Sequence, residues 1–172
     1  MKYFRYLIAT TITLTPLWGA GTAMAQSKPR LEKVHTDWSV YSHGQGANKT
    51  CYALSKPKVQ SPSSVNHGDV YFMVSNWKSG AAKEQPSFFA GYNLKPSRAP
   101  EAQIKGSKYT MYAAANEAFI ESSSKERGLV SKIRAGATMN IKAVSSRGTN
   151  VKYQFSLKGV TAALKHVRQI CG

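Results

Sequence analysis

The chain has little cysteine, little acid and no long apolar run after its N-terminal end, and each shortage removes a class of protein. Only Cys51 and Cys171 occur, with no C-x-x-C or H-x-x-x-H spacing beside them, so the closely spaced ligands of a structural zinc site are missing. Eight acids stand against 24 basic residues. Few carboxylates are therefore on hand for the paired acid and base of a glycosidase, and Asp69 alone adjoins an apolar segment. The histidines are His35, His43, His67 and His166, and none accompanies a G-x-S-x-G nucleophile pattern. Gly44-Gln45-Gly46 lacks the last glycine of a dinucleotide loop, and no βαβ pattern surrounds it. No run of five or six like charges and no nucleic-acid module pattern is present. The expectation is a non-catalytic protein, with no catalytic residues, metal or cofactor and no specific recognition of nucleic acid.

What is present begins at the N-terminus. Lys2 and Arg5 precede an uncharged stretch over residues 6–20 (YLIATTITLTPLWGA), and Ala23-Met24-Ala25 offers small residues for cleavage. Threonines and Pro16 interrupt the stretch, which falls short of the roughly 20 apolar residues of a spanning helix. Residues 1–25 read as a signal peptide. Residues 26–172 then form one exported domain of ordinary size, with no transmembrane segment. In an oxidising compartment Cys51 and Cys171 most simply form one disulfide; a metal pair or an intermolecular bridge are the alternatives. Such a bond would close a loop over nearly the whole domain, which the chain-entropy treatment values at roughly 4–5 kcal/mol.

The formal net charge of +16 favours anionic partners through its long-range field. Lipopolysaccharide, acidic glycans and acidic lipid headgroups all qualify. The basic residues are scattered, so a well-solvated surface is an equal reading of the same charge.

Apolar alternation with period two predicts strands over residues 36–42, 50–56, 86–93, 137–144 and 151–157. Cys51, Ala53 and Ser55 share one side of their strand; Met139, Ile141 and Ala143 share one side of theirs. Residues 69–76 (DVYFMVSN) are apolar on both faces and suit a strand in the middle of the core. Residues 102–104 and 108–113 form a hairpin across Lys105-Gly106-Ser107. Residues 57–68, rich in Pro, Ser and Asn, form a long exposed connection in which His67 is a solvated loop histidine. A short helix over 124–136 buries Leu129, Val130 and Ile133. A C-terminal helix over 160–171 buries Val160, Ala163, Leu164, Val167 and Cys171, with Lys165, His166, Arg168 and Gln169 facing away. The fold class is mainly β: an antiparallel sandwich or barrel-like domain with a short helix and a C-terminal helix.

The string SSRGTNVKYQFSLKGVTAALKHVRQIC, residues 145–171, resembles the C-terminal signature of the invasion-associated locus B family of bacterial exported proteins. Earlier pieces fit in order: Trp38-Ser39-Val40, Cys51-Tyr52-Ala53 with Ser55-Lys56-Pro57, Gly68-Asp69-Val70-Tyr71, and Gly91-Tyr92-Asn93-Leu94. Phe119 stands where the family usually has Trp, and Asn150, Val151 and Lys152 replace frequent acids. The resemblance implies a β-rich protein that is periplasmic, outer-membrane associated or secreted, linked by the family name to host-cell entry. It supplies no catalytic residues.

The loop at Arg147-Gly148 invites two readings. Arg147 and exposed backbone N–H groups could grip a phosphate or carboxylate, with Lys142 and Lys152 nearby on the flanking strands. Alternatively Gly148 permits a turn while Arg147 pairs with an acid such as Asp69. The turn chemistry of Ser, Gly and Asn favours a corner first and a site second. The functional expectation is an envelope or host-interaction protein that binds anionic surface partners through a basic face. An envelope assembly factor is the alternative. A hydrolase is the third, and it would need His67, Asp69 and a serine gathered in one cleft.

Overall fold

A computed structural model of the chain describes residues 28–172; the expected signal peptide, residues 1–25, lies outside them. In chain order the strands are β1 (Arg30–His35), β2 (Trp38–His43), β3 (Thr50–Ser55), β4 (Val59–Ser61), β5 (Tyr71–Trp77) and β6 (Gln85–Phe89). There follow β7 (Glu101–Ile104), β8 (Ser107–Thr110), β9 (Tyr112–Ala114), β10 (Glu117–Phe119) and the helix α1 (Ser123–Ala135). The chain ends with β11 (Thr138–Val144), β12 (Asn150–Ser156) and α2 (Val160–Cys171). The strands form a wide sheet ordered β1-β2-β3-β5-β6-β10-β9 and a narrow one ordered β4-β12-β11-β7-β8. All their pairings are antiparallel.

The sheets stack as a sandwich. Phe72 of β5 meets Phe155 of β12, and Phe88 of β6 meets Tyr153 of β12, edge-on or tilted, the arrangements aromatic quadrupoles favour. Trp38, fully buried, donates its indole N–H to the Ser156 carbonyl 3.0 Å away. One layer of apolar side chains thus joins β2, β5 and β6 to β12.

The helices cover the rest of the wide sheet's inner face. Val160, Ala163, Leu164, Val167 and Cys171 line the buried side of α2, which packs on β1, β2, β3 and β5. The Cys51–Cys171 disulfide, with Cα atoms 5.8 Å apart, ties the last turn of α2 to β3. It is intramolecular, so the metal pair and the intermolecular bridge fall away. Leu129, Val130 and Ile133 are the buried residues of α1, as its spacing predicts.

Three expectations change, and one strand appears that the sequence did not announce. Residues 71–75 do not lie in the middle of the core: Phe72 and Val74 are buried, while Tyr71, Met73 and Ser75 are half-buried on an outward face that no other layer covers among the described residues. Residues 108–113 are not one strand. The turn at Lys105 and Gly106, with φ of 46° and 81°, has the primed geometry of a two-residue hairpin. The chain then leaves the narrow sheet at buried Met111, whose N–H donates to the Pro100 carbonyl, and joins the wide sheet as β9. The expected connection over 57–68 contains β4, a short edge strand. β1 itself has no apolar alternation to announce it; its charges suit an edge strand, where they deter pairing with another chain.

Candidate functional site

The corner joining β11 to β12 is closed by its own backbone. The Gly148 N–H donates to the Ser145 carbonyl at 2.8 Å, the Ser145 N–H to the Thr149 carbonyl at 2.9 Å, and the Thr149 N–H to Ser145 Oγ at 3.1 Å. The Ser146 N–H donates to the Asn93 carbonyl at 2.8 Å. Gly148 has φ +91° with open space where a Cβ would stand, so its requirement is conformational, not steric. These four N–H groups are already used within the protein and do not face an anion, which fits the reading of this stretch as a corner first. Arg147 does not pair with Asp69, whose carboxylate, well exposed, lies 3.6 Å from Lys56. Among the described residues the Arg147 guanidinium makes no ion pair.

The corner separates two recesses that share Val151. One, of about 390 Å³, is lined by Val65, Asn66, His67, Tyr92, Ser145, Arg147, Thr149 and Val151. The other, of about 360 Å³, holds Arg98, Glu101, Lys142, Asn150 and Lys152. Lys142 and Lys152 lie directly opposite each other on neighbouring strands, where like charges repel. Glu101, opposite Lys142 on β7, extends this charged row on the narrow sheet's outward face, and Lys108, in the adjacent row opposite Gln103, lies 3.9 Å from Glu101. The four residues expected to bind anions, Lys142, Arg147, Gly148 and Lys152, therefore belong to one corner but not to one cavity.

His67 corrects its own expectation. It is buried, not solvated: its Nε2 bonds to the Pro62 carbonyl at 2.9 Å and its Nδ1 to the Tyr153 hydroxyl at 2.8 Å. Tyr153, deep in the sandwich, meets the Tyr92 hydroxyl at 2.5 Å. Burial and the bond to Tyr92 push the Tyr153 phenol far above its ordinary range, and burial raises Tyr92 as well. Both hydroxyls therefore keep their protons. Gly91 holds this arrangement together, because a Cβ there would lie 2.6 Å from the His67 carbonyl and 2.7 Å from the Asp69 nitrogen. No side chain fits, so the loop carrying His67 closes directly onto the turn carrying Tyr92.

The hydrolase arrangement is not assembled. Both ring nitrogens of His67 are engaged inside the protein, and Asp69 points to solvent beside Lys56. Among the described residues no cluster of His, Cys, Asp or Glu could hold a metal ion.

Other cations prove structural. Glu84, in the turn between β5 and β6, accepts from both Arg134 of α1 and Arg168 of α2, so one carboxylate holds both helices. His166 does not face away; its Nδ1 lies 3.2 Å from His35 Nε2 on β1. Sequence reasoning missed Tyr92, Tyr153 and Arg98 as members of the site. Three fragments quoted above, around Gly68, Gly91 and Arg147, do converge here, yet no local pattern brings them together.

A two-sheet β-sandwich with a disulfide-tied C-terminal helix, and polar recesses in place of an assembled catalytic group among the described residues, is the class these features define. The chain belongs to the family described as Invasion associated locus B (IalB) protein, whose model matches residues 38–168. No match arises among curated proteins or among solved structures. IalB is not a known enzyme family. Family and disulfide fit an exported protein, and among the described residues no helix is long and apolar enough to cross a membrane.

Proposed function

We propose that this protein is a non-catalytic binding protein of the bacterial envelope or the host interface, which captures anionic surface molecules through the basic corner between β11 and β12. Residues 26–172 act as its single mature domain, after removal of residues 1–25. Lipopolysaccharide, acidic glycans and acidic lipid headgroups are the partners this chemistry suits. The observation that carries the reading is the recess where Arg98, Lys142 and Lys152 gather around one acid, Glu101, beside Arg147, which makes no ion pair among the described residues. Placing Lys142 directly opposite Lys152 costs stability, and an anion bound across the pair would offset that repulsion. Attraction of this kind is screened by salt.

Heparin and lipopolysaccharide columns test it. The wild-type protein elutes at a higher salt concentration than the Arg98→Ala/Lys142→Ala/Lys152→Ala variant, whose three exposed substitutions leave the core intact. Equal elution of the two, or retention that salt does not weaken, overturns the reading.

A further inference from the structure

The polar groups beside Arg147 form a directed chain, and its direction specifies what fits the recess. A carbonyl only accepts, so the His67 Nε2 that lies 2.9 Å from the Pro62 oxygen carries a proton. In a neutral imidazole the other nitrogen is then an acceptor. The Tyr153 hydroxyl, 2.8 Å from His67 Nδ1, therefore donates to it. That uses the only hydroxyl proton of Tyr153, whose oxygen accepts in turn from Tyr92 at 2.5 Å. Tyr92 has no proton left for the recess, and its remaining lone pair makes it an acceptor there. The lining of the recess thus includes a guanidinium that only donates and a phenolic oxygen that only accepts.

We infer that this recess binds an anionic sugar unit, with its carboxylate on Arg147 and a neighbouring hydroxyl donating to Tyr92. A bare sulfate ion meets half of the pattern, since it has acceptors for Arg147 but no proton for Tyr92. A neutral sugar meets the other half. Ser145, Thr149 and Asn66 add polar edges, while Val65 and Val151 give the C–H face of a sugar ring apolar ground. The volume of about 390 Å³ stands at the small end of ligand pockets and suits one ligand unit inserted from solvent. The inference rests on the anion-binding reading above and adds a ligand class and a specificity-determining residue, Tyr92.

The full protein titrated with glucuronate, and separately with sulfate at matched ionic strength, tests this by amide NMR shifts. Glucuronate shifts the signals around Tyr92 and Arg147 saturably and binds more tightly than sulfate. Tyr92→Phe lowers glucuronate affinity roughly tenfold, the worth of one good hydrogen bond, and leaves sulfate unchanged. Arg147→Ala, an exposed substitution that keeps the test readable if Tyr92→Phe disturbs folding, weakens both. Equal glucuronate binding by wild type and Tyr92→Phe, or no saturable binding by wild type, overturns the inference. If that happens while the Arg98/Lys142/Lys152 variant still loses heparin retention, the sugar assignment falls and the basic-corner reading stands.

Discussion

The two sheets turn opposite kinds of surface outward. Across the wide sheet one continuous row runs Val34, Ser39, Leu54, Met73, Ser87, Phe119 and Tyr112, and a second carries Leu31, Tyr41 and Tyr52. Tyr41 stacks on Tyr52, and Tyr112 tilts against Phe119. Across the narrow sheet the matching rows run Ser61, Lys152, Lys142, Glu101 and Thr110, then Val59, Gln154, Asn140, Gln103 and Lys108. Both sheets put apolar residues inward, as any sandwich must. What differs is the outer side: aromatic, aliphatic and small hydroxyl groups on one, lysines and amides on the other. Net charge is therefore a poor guide to where this molecule meets a partner, because its cations divide between jobs. Arg134 and Arg168 hold helices to Glu84, whereas Lys142 and Lys152 face solvent in each other's repulsion.

The largest expected effect breaks the wide sheet's side of the comparison. Replacing Cys51 and Cys171 together by Ala frees α2 from β3 and should cost about 4–5 kcal/mol by the chain-entropy treatment. The denaturation midpoint reads it directly. The narrow sheet, which the disulfide does not touch, should keep its heparin retention in the fraction that stays folded.

Acid should loosen the wide sheet next, and at its β1 edge. Burial, with the like charges of His166 and Lys33 adding to it, holds His35 below its ordinary value of 6.5. Hydrogen bonds from Lys58 and Ser156 hold Asp37 below 3.8, and the bond from Ser42 holds Glu32 below 4.5. In each case the unfolded chain binds protons more readily than the folded one, so stability rises with pH across the affected window. For His35 the loss begins as pH falls through about 6.5 and is complete below its depressed folded value. For Glu32 and Asp37 it follows as pH falls below about 4.5 and 3.8. Thermal unfolding across that range should show a two-stage decline. His35→Gln should remove the upper stage alone; an unchanged upper stage would refute its assignment.

The smallest effect carries the most information about the narrow sheet. Lys152→Ala removes a charge directly opposite Lys142 and should raise stability by roughly 0.2–1 kcal/mol, the size of such cross-strand terms. It should also lower heparin retention. Stability and binding moving in opposite directions would mark Lys152 as kept for a partner. A loss of stability on substitution would assign it to the fold instead.

Much of the architecture was legible in the chain. The buried set of α2 follows from 3.6-residue spacing, and the inward faces of β3, β11 and β12 follow from period two. The site was legible only in pieces. Arg147, Gly148, Lys142 and Lys152 could be picked out because one hairpin holds them. His67 looked like a loop residue because its neighbours are Asn66 and Gly68, and nothing local shows that Tyr153, 86 positions away, lies 2.8 Å from its ring.

Local periodicity decides which side chains share a face, since each residue's direction follows from its own backbone, and with it the helices and most of the longer strands. It does not decide which faces another layer covers. Stacking the sheets turned the Tyr71, Met73 and Ser75 side of β5 outward, moved the chain between sheets at Met111, and pressed Gly91 against His67. Those choices depend on contacts between residues far apart in sequence, which no short-range period encodes.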